Sequence, residues 1–318
     1  MRYGEGDRES ENVEDRRGES GGGMFRRGGG IPLPIGGGGL SITSLIVIGV
    51  ICLMLGINPL ELLSGGGDGI PRMPDVGRPG GSSRSPFEIP NAQQPRVAPQ
   101  NDEMSRFVRR VLADTEDVWE RVFAAAGKRY EKPTLVLFSG ATQTACGRGQ
   151  SAMGPFYCPL DKKVYIDLDF YRTLKERFHA PGDFAQAYVI AHEIGHHVQT
   201  LLGVSDKVQA LKQQAMRRGD EAAANGMQVR MELQADCLAG VWASLNDQVR
   251  SRLQPGDVEE GLNAAAQIGD DTLQKRGQGR VVPESFTHGS AAQRVRWFKK
   301  GLEAGRMQAC DTFDGQAL

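Results

Sequence analysis

The sequence predicts an α+β protein in which a mainly helical domain with a small β-sheet is preceded by one transmembrane helix. Three observations lead to this prediction. Apolar residues recur at helical spacing through most of the second half of the chain, between residues that favour helix ends. Two short runs, residues 134–138 (TLVLF) and 163–168 (KVYIDL), have the composition or the alternation of strands. Residues 40–57 form an apolar run without a charge.

Composition divides the chain into segments. Most of the excess of its 42 glycines and 16 prolines falls before residue 100, so the folded part is shorter than the 318-residue chain. Residues 1–39 mix charges with glycine runs and lack apolar periodicity, which predicts a disordered N-terminal segment. Residues 58–100 are rich in glycine, proline and serine, which predicts a flexible linker. A folded domain is expected over residues 101–318.

The apolar run at residues 40–57 (LSITSLIVIGVICLMLGI) predicts a membrane anchor. As a helix it would be about 27 Å long, close to the thickness of the hydrocarbon core. A buried core helix is the alternative, but the glycine-rich, polar flanks offer nothing to pack against it. A cleaved signal peptide fits poorly, because the leader is long and partly acidic and no Ala-x-Ala-like site follows. We therefore expect a retained single-pass anchor.

Basic residues orient this anchor. Four arginines precede the run, namely Arg16, Arg17, Arg26 and Arg27. Only Arg72 is basic within the next twenty positions, so the positive-inside rule places the N-terminus in the cytoplasm and the domain outside.

Charge and cysteine content restrict the function and the compartment. The chain carries 38 basic and 39 acidic residues, so it lacks the electrostatic signature of a nucleic-acid partner. Cys52 lies in the apolar run, and four cysteines lie outside it, an even number that can pair in an oxidising compartment. Cys146 with Cys158 would close a short loop and leave Cys237 with Cys310, although four cysteines permit three pairings. Reduced cysteines in a cytosolic domain are the alternative.

Within the folded domain, capping residues delimit the helices. Asp102 is placed to cap the first helix, whose apolar residues run from Phe107 to Phe123, and Gly127 can follow its end. A Gly-rich stretch carrying Cys146 and Cys158 separates the two strands. Further helices are predicted from Asp183 (capping box with Gln186) to Gly203, over Ser205–Arg218, Glu221–Leu245 and Asp257–Ile268, and over Arg294–Leu302 after a capping box of Ser290 and Gln293.

One of these helices contains the motif His192-Glu193-Ile194-Gly195-His196. Helix positions four apart project side by side, so His192 and His196 can bind one metal ion. Glu193 is placed to act on a metal-bound water without ligating the ion. A chance match is the alternative, but five histidines in the whole chain make it rare. Gly195 costs about 1 kcal/mol in a helix, which indicates that another backbone approaches there.

A catalytic site needs a third protein ligand, and the segment 231–237 (MELQADC) offers one. Glu232 and Asp236 share one face of an apolar helix, where carboxylates are costly unless they are paired or bind a metal. We interpret Glu232 as the third ligand and Asp236 as the acceptor for the N–H of a ligand imidazole. An exposed acidic pair is the alternative. Two imidazoles, one carboxylate and one water position suit Zn²⁺.

Several motifs together resemble the putative neutral zinc metallopeptidase family of bacteria, over roughly Asp102 to Asp314. They occur in the order ACG (145–147), GPFYCP (154–159), VYIDLDFY (164–171), HEIGHH (192–197), ELQADC (232–237) and FTHGSAAQRV (286–295). The resemblance implies a zincin-like, zinc-dependent peptidase anchored in a bacterial membrane. Together with the arginine pattern, this gives the expectation of an inner-membrane protein with its catalytic domain in the periplasm. A looser similarity to gluzincins, which pair HExxH with a downstream glutamate and a nearby aspartate, supports Glu232 and Asp236.

The expected chemistry is peptide hydrolysis, with a peptide or protein as substrate. The metal lowers the pKa of its water, and Glu193 accepts the proton and passes it to the leaving amine. His288 is the candidate donor to the tetrahedral intermediate, on similarity to loops of other membrane zinc proteases; an uninvolved surface histidine is the alternative. Arg294 is interpreted as solvated rather than reaching a carboxylate, and His179 and His197 as structural or surface residues. Residues 165–169 form either an edge strand for substrate or an ordinary core strand.

Three functions remain in competition. The first is a membrane-anchored zinc peptidase, expected to be an endopeptidase. The second is a non-catalytic extracytoplasmic binding or scaffold module with a structural zinc site, which predicts a closed coordination sphere. The third is an assembly-type membrane protein without metal. The set His192, Glu193, His196 and Glu232 favours the first.

Overall fold

The structure is a computed structural model that describes residues 1–18, 102–151, 154–176, 178, 180, 182–315 and 318. The predicted anchor (40–57) and linker (58–100) lie outside the described residues, as does most of the segment 1–39. In the part of the chain that is described, no helix combines the length and apolarity that a membrane span requires. The anchor therefore stays a prediction.

The described chain has a mixed α+β fold in which helices predominate, as predicted. Its helices are α1 (Glu103–Ala125), α2 (Asp169–Glu176), α3 (Asp183–Leu201), α4 (Val204–Arg217), α5 (Glu221–Arg250), α6 (Asp257–Gln267), α7 (Asp270–Gln278) and α8 (Ala291–Ala304). Its strands are β1 (Val13–Asp15), β2 (Thr134–Phe138), β3 (Ala141–Thr144), β4 (Gly147–Gln150), β5 (Phe156–Cys158) and β6 (Lys163–Asp167).

Two of the predicted side-chain caps are formed and one is not, and the helix predicted over Glu221–Leu245 continues to Arg250. The Asp102 carboxylate accepts the N–H of Ser105 at 2.7 Å and so caps α1. The predicted capping box of Ser290 and Gln293 is formed at the start of α8. The capping box predicted at Asp183 is wrong, because the helix begins one residue earlier than that pattern requires and Gly182, which has no side chain to cap with, is the N-cap.

A four-stranded sheet has the order β1-β2-β6-β5. The first three strands are parallel, and β5 runs antiparallel to β6. Because β6 lies between β2 and β5, the hypothesis that residues 165–169 form an edge strand is wrong, and among the described strands the edges are β1 and β5. A separate hairpin of β3 and β4 occupies the Gly-rich stretch between the predicted strands.

Both disulfides pair as predicted. Cys146 is bonded to Cys158, which joins the β3–β4 hairpin to β5, and Cys237 is bonded to Cys310. The second bond fastens α5 to the C-terminal part of the chain. Close contact also joins α5 to α8, since a Cβ added at Gly240 would lie 2.1 Å from the carbonyl oxygen of Phe298. Glycine is therefore required where these two helices meet.

The N-terminal segment departs most from prediction. The expectation of disorder over residues 1–39 is wrong for residues 1–18, because β1 extends the sheet alongside β2. Glu116 of α1 is 1% exposed, and its carboxylate accepts hydrogen bonds from Arg8, Ser10 and Asn12. Composition suggested disorder because this segment contributes few apolar residues, yet its polar groups satisfy a buried charge of the domain.

Loss of one of these donors should destabilise the domain. Ser10 donates to Glu116 Oε1 at 2.6 Å, and Ser10→Ala removes that donor from a buried acceptor. We expect the free energy of unfolding to fall by about 1–3 kcal/mol, measured by urea denaturation. Glu11→Ala, at an exposed neighbouring position, is the control and should change it by less than about 0.5 kcal/mol. Equal effects of the two substitutions would contradict the conclusion that Ser10 is packed against Glu116 in a folded N-terminal segment.

Candidate metal centre

The centre forms where α3 and α5 approach each other closely. A Cβ added at Gly195 would lie 3.0 Å from both the Cα and the carbonyl oxygen of Ala235. Gly195 therefore occupies the position where the second backbone approaches, as the sequence predicts. This contact brings the HExxH face of α3 against the face of α5 that carries Glu232 and Asp236.

The three predicted ligands converge at this contact. His192 Nε2 lies 3.2 Å from Glu232 Oε2, and His196 Nε2 lies 3.3 Å from the same oxygen. One ligand atom from each of the three residues lies within 4.8 Å of the others, and all three residues are buried. With bonds of about 2.0–2.1 Å, two ligands of a tetrahedral zinc ion are separated by roughly 3.3 Å. The donor atoms therefore fit a zinc ion, and among the described residues the group at this centre supplies three protein ligands.

Asp236 orients the first ligand imidazole. Its Oδ1 lies 2.8 Å from His192 Nδ1, so Nδ1–H donates to the carboxylate. In the neutral ring this contact leaves the lone pair on Nε2, the nitrogen that would bind a metal in place of its hydrogen bond to Glu232. Arg294 donates to both oxygens of Asp236, from Nε at 2.8 Å and from a terminal nitrogen at 2.9 Å. The Tyr188 hydroxyl also donates to Oδ1. Burial favours the neutral carboxyl, but the charges of Arg294 and His192 outweigh it and hold the pKa of Asp236 well below its usual range.

Arg294 is a correction to the sequence analysis. It was expected to be solvated, whereas only 2% of it is exposed and its guanidinium lies against Asp236. The residue lies in the first turn of α8, where sequence spacing does not reveal which buried carboxylate it meets.

Gln199 orients the second imidazole and was missed. Its Oε1 lies 2.8 Å from His196 Nδ1, and its amide donates to the carbonyl of Met231 at 2.7 Å and to Gln234 Oε1 at 3.0 Å. The sequence spacing could have identified Gln199, because it lies three residues after His196 and therefore on the same face of the helix. Gln199 thus fixes the ring of His196 and links α3 to α5.

The neighbours of Glu232 favour its ionised form. Gln228 donates to its Oε1 at 2.6 Å, which leaves Oε2 facing the two imidazoles. Burial disfavours the charge, but His196 and hydrogen bonds from both histidines outweigh burial and hold the pKa of Glu232 well below its usual range. Conversely, burial lowers the pKa of His196, and the Glu232 charge overcomes this and raises it to about 9.

Glu193 is placed beside these ligands with a free carboxylate. It is 8% exposed, and among the described residues no hydrogen bond or ion pair engages its side chain. Its charge contributes to the raised pKa of His196, so it lies near the second ligand. A free carboxylate next to a metal position can accept a proton from a bound water.

His288 lies in the loop before α8, and its ring contacts Asp270. Its charge contributes to the low pKa of Glu232, which indicates proximity, and its side chain is 37% exposed. Asp270 accepts the backbone N–H groups of Thr287, His288 and Gly289 at 2.6, 2.6 and 3.1 Å. The other oxygen of Asp270 lies 3.3 Å from His288 Nδ1. Asp270 therefore fixes both the loop and the ring, and sequence analysis missed it together with helix α7.

The remaining histidines are not part of the centre as described. His197 is fully buried, 3.1 Å from the Tyr157 hydroxyl and 2.6 Å from the carbonyl of Glu131, and burial lowers its pKa to about 4. It is a structural residue, in agreement with the sequence analysis. His179 lies outside the described residues.

Comparison with known proteins gives the family of the chain. The family model described as putative neutral zinc metallopeptidase matches residues 1–313. The uncharacterized protein YpfJ of Escherichia coli K12 is 47% identical over 313 residues, which cover 98% of this chain and 99% of that protein. The uncharacterized protein Rv2575 of Mycobacterium tuberculosis H37Rv is 43% identical over 224 residues, which cover 67% of this chain and 73% of that protein. No solved structure matches the chain.

The close contact of α3 and α5 gives a test with a matched control. Gly195→Ala improves helix propensity but places a methyl group 3.0 Å from the Ala235 backbone, so the two helices must shift by a few tenths of an ångström and zinc affinity should fall about tenfold. Gly226→Ala, in α5, meets no atom within 4 Å and should leave zinc affinity unchanged. Competition with a chromophoric chelator measures both, and unchanged affinity in Gly195→Ala would contradict the geometry.

Proposed function

The chain belongs to the putative neutral zinc metallopeptidase family, and we propose on that premise that it is a zinc-dependent peptidase that hydrolyses peptide bonds. The observation that carries the proposal is the convergence of His192, His196 and Glu232 beside the free carboxylate of Glu193. Three protein ligands with an adjacent base are the arrangement of catalytic zinc sites.

Zinc in such a site polarises a carbonyl and acidifies a bound water. The chain's own residues supply the remaining functions. Glu193 accepts the proton of the attacking water and delivers it to the nitrogen of the leaving amine. His288 donates a hydrogen bond to the oxygen that becomes negative, and Asp270 is the positioning residue that holds the ring. Asp236 and Gln199 keep the two ligand imidazoles in the required orientation.

Strand β5 replaces residues 165–169 as the candidate site for an extended substrate. It is an edge strand, and α3 packs against it. The Tyr157 hydroxyl on β5 contacts His197, the residue after the second histidine ligand. An extended peptide is proposed to pair with the open side of β5, next to the helix that carries two of the ligands, since β-addition is a common mode of peptide binding.

A scaffold module with structural zinc is less well supported. Structural zinc sites have four protein ligands, and among the described residues the group at this centre contains three. The free carboxylate of Glu193 and the ordered His288 loop also have no role in a closed structural site.

The proposed location is extracytoplasmic, with the domain attached to the inner membrane of a bacterium. Two disulfides support an oxidising compartment, because cytosolic thiols are kept reduced. The attachment rests on the sequence of residues 40–57 alone.

The role of Glu193 is tested by Glu193→Gln in the full-length protein. We expect the variant to bind one zinc ion with unchanged affinity and to cleave a peptide library about 10²–10⁴-fold more slowly, because only the proton acceptor is lost. Glu259→Gln, at an exposed position of α6, is the control and should be fully active. A chelator should abolish cleavage by the wild type. Undiminished hydrolysis by Glu193→Gln with zinc bound would refute this assignment.

The role of His288 is tested by His288→Ala. The proposed loss of one donor to the transition state predicts a fall in kcat of about 10²–10³-fold, with zinc content and KM little changed. Steady-state kinetics on a peptide identified from the library measure this. A kcat equal to that of the wild type in His288→Ala would show that His288 is an uninvolved surface histidine.

A further inference from the structure

Residues 1–18 are part of the same folded unit as the metal centre. Strand β1 pairs with β2 over three residues, with Glu14 opposite Val136. The ladder continues on both sides, because the N–H of Leu135 donates to the carbonyl of Asn12 at 2.9 Å and the N–H of Arg16 donates to the carbonyl of Leu137 at 2.7 Å. This pairing requires the two segments to lie in direct contact.

Buried charges make the contact specific. Asp114 of α1 is 1% exposed, and it accepts hydrogen bonds from the Tyr3 hydroxyl at 3.1 Å and from Arg252 Nε at 2.9 Å. Arg252 in turn donates to Asp7 at 2.7 Å and to the carbonyl of Arg2 at 2.9 Å. Both buried carboxylates of α1 therefore accept hydrogen bonds from residues 1–18. Separation of the segment would remove the Tyr3 donor from Asp114, which keeps Arg250 and Arg252, and would remove the Arg8, Ser10 and Asn12 donors from Glu116.

We infer that residues 1–18 and residues 102–318 lie on the same side of any membrane to which the protein is attached. A chain that crosses a bilayer once between the two segments would place them on opposite sides, and β1 could not then pair with β2. The inference excludes a single crossing between the two segments in either orientation, and so it replaces the expectation from the arginines around residues 40–57, which put the N-terminus and the domain in different compartments. It does not depend on the proposed peptidase activity.

The test is site-specific labelling of the full-length protein in intact Escherichia coli cells. Single cysteines replace two exposed glutamates, Glu11→Cys in the N-terminal segment and Glu259→Cys in the domain, each combined with Cys52→Ser. A membrane-impermeant maleimide is applied before and after lysis, and the Cys52→Ser parent gives the background. We expect the two positions to label under the same condition. Labelling of one position in intact cells and of the other only after lysis would overturn the inference.

A second measurement tests the pairing itself in the same cells. Lys163 Nζ lies 2.5 Å from Glu14 Oε1, so the side chains of these residues meet across the sheet. In Glu14→Cys/Lys163→Cys, again with Cys52→Ser, a short permeable bismaleimide should join the two positions within one chain, as read by peptide mass analysis. Failure to cross-link them, with both cysteines reactive, would also overturn the inference.

Discussion

The metal centre depends on the close contact of α3 and α5 at Gly195 and Ala235. Two histidines on one helix cannot complete a catalytic site, and the third ligand must come from a chain segment far away in sequence. A glycine lets the two backbones approach until Glu232 meets both imidazoles. The cost of glycine in the middle of a helix is about 1 kcal/mol, which the packing of α3 on α5 offsets.

Buried charges then fix the geometry that this contact permits. Asp236 lies between His192 of α3 and Arg294 of α8, so one carboxylate joins three helices and sets the orientation of a ligand. A buried ion pair contributes little net stability, but removal of one member leaves the other charge unpaired at a cost of about 3–5 kcal/mol. The fold and the site are therefore coupled, because a packing of the three helices that broke these ion pairs would leave buried charges unpaired. Residues 1–18 show the same principle at Asp114 and Glu116.

Features with a local pattern could be predicted from sequence. His192, Glu193 and His196 follow from helical spacing, and Glu232 and Asp236 follow from the cost of placing carboxylates on an apolar helix face. Features that depend on a distant partner could not. Arg294 looks like any surface arginine until α8 is packed against α5, and residues 1–18 lack apolar periodicity because they pair through backbone and charged groups. The helix α7, which carries Asp270, has too few apolar residues to be recognised.

The coordination sphere of the bound metal tests the central claim most directly. Zinc-edge X-ray absorption on the purified full-length protein should show a four-coordinate ion with two imidazole nitrogens, one carboxylate oxygen and one further oxygen. The same measurement on Glu232→Gln should show the loss of that carboxylate ligand or of the metal. Sulfur ligation, or a spectrum unchanged by Glu232→Gln, would contradict the centre described for α3 and α5.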